Sequence, residues 1–151
     1  MSTMMKVSWL AVVVLPALVM FLNRDKEVGR VPFSGEGSHT AGTVLSAGKV
    51  AFWTDIDVQY KGSAELEYRI ALTQGGTQVA TATCYPLGYL STKFVWIEID
   101  KASSHSRRGS GKMDCSATLR KGGPTTVDVT LAFTVRPPSA TTPRVDLVLK
   151  Q

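Results

Sequence analysis

The sequence predicts an all-β protein: an antiparallel β-sandwich, jelly-roll-like, of about eight strands, preceded by one N-terminal transmembrane helix. Three observations carry this. From Thr43 onward, short runs alternate apolar and polar residues with period two, the mark of a half-buried strand. Gly, Pro and Ser break those runs at intervals of about 8 to 15 residues, the turn spacing of a sandwich. No helical period follows the first 22 residues, which are themselves almost continuously apolar.

In residues 1–22, only Ser8 and Pro16 interrupt the stretch from Val7 to Leu22. As a helix it spans roughly 24 Å, against a hydrocarbon core of ~30 Å. Met4 and Met5 lengthen it, Lys6 can snorkel to the headgroups, and Trp9 suits an interface, so the bilayer is expected to be met through residues 4–22. Pro16 is tolerated better in a membrane helix than in a soluble one. The alternative is a cleaved signal and a secreted domain, but Ala17–Ser34 offers no convincing pair of small residues for cleavage. Orientation is contested. Arg24, Lys26 and Arg30 follow the segment, and a dominant positive-inside effect would leave the domain facing the cytoplasm. Two cysteines in an all-β domain argue for an oxidising compartment. The domain is therefore expected on the periplasmic or extracellular side.

Residues 23–42, "NRDKEVGRVPFSGEGSHTAG", hold four glycines and no sustained alternation, so they read as a Gly-rich linker ahead of a domain over 43–151. "KVAFWTDIDVQY" then sets Val50, Phe52, Thr54, Ile56 and Val58 against Ala51, Trp53, Asp55 and Asp57. After a "KGS" turn, "ELEYRIALT" faces Leu66, Tyr68, Ile70 and Leu72 inward. "QGG" is a hairpin turn, because glycine accepts positive φ, and leads into "TQVATATCY". "YPLGYLST" is a loop. "KFVWIEID" is read with Val95, Ile97 and Ile99 inward and Phe94, Trp96 and Glu98 outward. "KMDCSATLR" alternates strictly, with Met113, Cys115, Ala117 and Leu119 on one face. "KGGP" turns the chain into "TTVDVTLAFTV", whose inner face is Val127, Val129, Leu131, Phe133 and Val135. "RPPSATTP" crosses over to "RVDLVLK", with Val145, Leu147 and Leu149 inward.

Four features invite a functional reading. Cys84 and Cys115 fit a disulfide closing a loop of about 32 residues, worth roughly 3 to 4 kcal/mol. "HSRRGSGKMDC", residues 105–115, looks like the end of a phosphate-binding loop, but the motif needs a glycine where Ser106 stands, a hydroxyl where Met113 stands, and a following helix. Its charges remain: Lys101, Arg107, Arg108 and Lys112 read as a basic, anion-binding loop from Lys101 to Gly111, suited to lipid headgroups or acidic glycans. Trp53, Asp55 and Asp57 share a strand face, an arrangement that stacks a sugar ring and accepts its hydroxyl hydrogen bonds, or supplies carboxylates to calcium.

The 151 residues carry 17 Lys and Arg against 12 Asp and Glu, a formal charge of +5. That excess is mild, and aromatics do not interleave with the basic residues, so nucleic acid is not an expected partner. His39 and His105 sit in no nucleophile or metalloprotease motif, and no cysteine pair has metal-ligand spacing. No enzyme, metal or cofactor is expected. The pattern resembles small envelope-anchored bacterial β-sandwich proteins, without a motif that assigns one family. The expected role is a structural or interaction module of the cell envelope, with an envelope protein or a glycan as partner. The alternative is a carbohydrate-binding module using an exposed Trp53–Asp55–Asp57 face.

Overall fold

The computed structural model describes residues 26–135 and 144–151; the expected anchor over 1–22 and the Pro-rich crossing lie outside the described residues. Within them the chain is all-β, with nine strands in two antiparallel sheets. The strands are β1 (Glu27–Phe33), β2 (Gly37–Leu45), β3 (Gly48–Lys61), β4 (Glu65–Gln74), β5 (Thr77–Cys84), β6 (Leu90–Lys101), β7 (Ser104–Leu119), β8 (Gly123–Val135) and β9 (Arg144–Lys150). One sheet runs β1-β9-β3-β7-β6 and the other β2-β8-β4-β5. Among the described residues no helix is long and apolar enough to cross a membrane.

The core forms where the inner rows of the two sheets meet, as alternation requires. Val50, Phe52, Ile56 and Val58 of β3, with Val145, Leu147 and Leu149 of β9, face Leu66, Tyr68, Ile70 and Leu72 of β4 and Val127, Val129 and Leu131 of β8. Thr54 is the polar member of the β3 row; it is buried, and its hydroxyl shares a 3.2 Å hydrogen bond with the Tyr68 hydroxyl. Burial pushes the Tyr68 phenol far up, so it stays neutral. Gly75 and Gly76 make the β4–β5 turn at φ 58° and 80°, which only glycine adopts without strain.

Three expectations change. Residues 27–42 are mostly strand, not linker. β1 pairs with β9 and β2 with β8, so backbone pairing holds a segment whose side chains are too small and polar to show period two. The stretch Lys101–Gly111 is not a loop. Ser104–Gly111 is flanked by β3 and β6, and the chain reverses tightly at Ala102–Ser103. Phe94 points outward as read, but from Val95 on the faces of β6 are reversed, because a bulge between Phe94 and Ile97 shifts the alternation by one residue.

Candidate functional site

β6 is an edge strand, bonded to β7 on one side only. Its bulge is built around Val95, whose φ is 49° although its side chain is β-branched. Opposite it stands Gly109 at φ 140°, where a Cβ would lie 2.6 Å from the Val95 carbonyl oxygen. Glycine is therefore required there by the bulge, not by a phosphate. Replacing Gly109 with Ala should cost about 1–3 kcal/mol in urea denaturation. Gly42→Ala, at a site with no atom within 4 Å, is the matched control and should change stability by less than about 0.5 kcal/mol.

The phase shift turns an apolar row outward. Phe94 pairs with Ser110, Ile97 with Arg108 and Ile99 with Ser106, and those residues pair in turn with Asp55, Asp57 and Gln59 on the outer face of β3. Phe94 is 57% exposed, Val95 86%, Ile97 48% and Ile99 49%. Tyr89 just before the strand is exposed as well. Large apolar side chains gathered on an edge strand are uncommon on a monomer and mark a contact surface or an aggregation hazard.

Behind that row, the same strands carry charge on their inner face. Arg107 Nη1 donates to Asp100 Oδ1 at 2.8 Å, and His105 Nδ1 lies 2.6 Å from the same oxygen. These bonds hold the Asp100 carboxyl below the usual carboxylate range, with the His105 bond the larger cause. Arg107 also lies 3.8 Å from Glu98, which accepts a 2.8 Å hydrogen bond from Trp96 Nε1. Tyr60 packs against His105 with the two rings tilted. Paired charges fill the end of the hairpin that extends past the sandwich core, which keeps its inner face hydrated and its geometry fixed.

The expected basic cluster is thus divided. Arg107 faces inward among carboxylates. Arg108 faces outward, 4.0 Å from Asp57. Lys112 stands between Trp53 and Thr92 in the ladder, and Lys101 is at the turn. Neither arginine stands apart from an acid.

Trp53, Asp55 and Asp57 do share the outer face of β3, but Trp53 is only 6% exposed. Phe94 stacks on its ring at 5.9 Å between centroids, and Lys150 Nζ lies 3.9 Å from the ring centre. Its indole N–H is buried and finds no acceptor. Asp55 is half-buried, accepts from Ser110, and pairs with Arg30 at 2.7 Å. Arg30 also reaches Asp146 at 2.8 Å and Glu27 at 2.6 Å. Burial alone would lower its pKa, yet these three carboxylates raise it above the usual arginine range. Only Asp57 of the trio is open to solvent.

Cys84 and Cys115 form a disulfide, with Cα atoms 5.7 Å apart. It ties β5 of one sheet to β7 of the other. His39 packs edge-on against Phe33. Among the described residues no group of His, Cys, Asp and Glu is placed to hold a metal. Sequence reasoning missed the outward row of β6 and the role of Gly109. A strand's edge position and a bulge leave no mark in a period-two pattern.

Comparison with protein-family models, with curated proteins and with solved structures finds no match to this chain.

Proposed function

We propose that the chain is a single-pass membrane protein that carries a non-enzymatic jelly-roll domain on the periplasmic or extracellular side. There it serves as an interaction module of the cell envelope. The partner is an envelope protein that lays an extended apolar segment along β6.

The observation that carries this reading is the exposed row Phe94, Val95, Ile97 and Ile99 on an edge strand with one ladder unfilled. Strand addition supplies main-chain hydrogen bonds, and alternate side chains supply selectivity. The strand order supports the jelly-roll assignment. Without β6, the sheets read β1-β9-β3-β7 and β2-β8-β4-β5, two interleaved Greek keys of eight strands. β6 is then an addition at the rim, outside the minimum the fold needs. The disulfide favours an oxidising side of the membrane. The sugar-binding alternative is weaker, since Phe94 and Lys150 already occupy the Trp53 ring.

A photoreactive phenylalanine analogue at position 97 should cross-link one protein in intact cells. The adduct should disappear when Ile99→Lys is added, and a probe at Thr81 on the opposite sheet should yield none. Equal cross-linking at both positions, or none at 97, would sink the β6 reading. The exported orientation is checked separately by labelling Ser103→Cys with a membrane-impermeant thiol reagent. Labelling only after lysis would overturn it.

A further inference from the structure

We propose that the end of the sandwich where the chain enters β1 is a basic face resting on anionic phospholipid headgroups. This deepens the anchor reading above and rests on it. The register brings five separate stretches to that end. Lys26 exchanges two backbone hydrogen bonds with Gln151, at 2.8 and 3.0 Å. The Gln151 side chain bonds both backbone groups of Ser46 in the β2–β3 turn. Lys49 opens β3 opposite Thr118, close to where β7 ends. Gln74 donates to the Lys121 carbonyl oxygen, joining the β7–β8 turn to the β4–β5 hairpin.

Lys26, Lys49, Arg120 and Lys121 are all exposed on this end. Glu27, next to Lys26 in the chain, is engaged by Arg30, and Asp114 lies further along β7. Arg24 and Asp25 precede the domain and offset each other. The opposite end mixes signs, with Lys61 and Lys101 beside Glu65 and Asp100. The asymmetry has a direction, and it points toward the apolar segment.

Chain length gives the distance. Because β1 begins at Glu27, only residues 23–26 separate the apolar segment from the folded domain. Four residues reach at most about 14 Å, and the headgroup layer itself takes up about half of that. The four cations are then held about one Debye length from the lipid phosphates, close enough for attraction to survive physiological salt. With so short a tether the domain cannot tumble freely, and this end is the one presented. The apolar row of β6 lies toward the far end, where a protein partner has access.

The test uses the full chain reconstituted in phosphatidylcholine vesicles with or without phosphatidylglycerol. A fluorophore is placed at Ala47→Cys and, separately, at Ser103→Cys at the far end. Spin labels on the lipid headgroups report proximity. Adding phosphatidylglycerol should raise quenching at 47 by roughly twofold or more, high salt should reverse the gain, and 103 should stay unquenched. The triple variant Lys49→Glu, Arg120→Glu, Lys121→Glu should lose the gain while still floating with the vesicles. Flotation with unchanged quenching at 47 overturns the seating and leaves the anchor standing. Stronger quenching at 103 than at 47 also overturns it. Failure to float with neutral vesicles removes the anchor, and the seating falls with it.

Discussion

Opening the Cys84–Cys115 bond should lower the melting temperature by roughly 10–20 °C. The two residues are 31 positions apart, so the bond closes a loop large enough to remove about 3 to 4 kcal/mol of unfolded-chain entropy. For a domain of this size each kcal/mol moves the midpoint by about 3–6 °C. The position of the bond adds to its weight. β5 is the edge of its sheet, paired only with β4, and the bond fastens it to β7 of the facing sheet. Cys84 is buried beside the core, so a freed thiol there gains no hydration to compensate. The measurement is a circular-dichroism melt with and without reductant. The Cys84→Ala, Cys115→Ala double variant should match the reduced protein and ignore reductant. A midpoint that does not move would show that the sheets hold together by packing alone.

What the sequence disclosed depended on where each strand lies in the sandwich. β4 and β8 bury one row and turn most of the other to the surface, so their alternation reads off directly, whereas in β9 Asp146 and Val148 of the outer row are enclosed as well. β1 and β2 escaped. Their stretch mixes Gly, Pro, Ser and Thr, and in β2 only Leu45 is fully buried. Such a strand is held by its ladders and by Thr40 and Ser38 bonding across to Asp128 and Thr130 on β8, which no hydropathy pattern records. The first half of β7 escaped for a related reason, since polar residues occupy both its faces and ion pairs replace apolar contact. β6 was found as a strand, with Phe94 correctly outward but Val95, Ile97 and Ile99 on the wrong face. A pattern of apolar residues gives the period and not the side, and the bulge at Val95 reversed the phase midway. The basic end was illegible for a different reason. Lys26, Lys49, Arg120 and Lys121 are far apart in the chain and meet only once the register is known.

The distinction between a buried and an outward apolar row has a direct energetic test. Leu131→Ala should cost about 2–5 kcal/mol, while Ile97→Ser should change stability by less than about 0.5 kcal/mol. Leu131 sits in β8, with β2 on one side and β4 on the other, paired with Gly37 and Tyr68, and it is almost wholly enclosed. Shortening it leaves a void that β8, locked by two ladders, cannot close. Ile97 stands on an edge strand with about half its surface already in water, so little transfer free energy is at stake. Urea denaturation at constant m-value reads both changes on one scale. Equal costs at the two positions would mean that β6 buries its apolar row within the monomer. The predicted contrast means that the outward side chain of Ile97 contributes little to folding and is free for contact with something outside the domain.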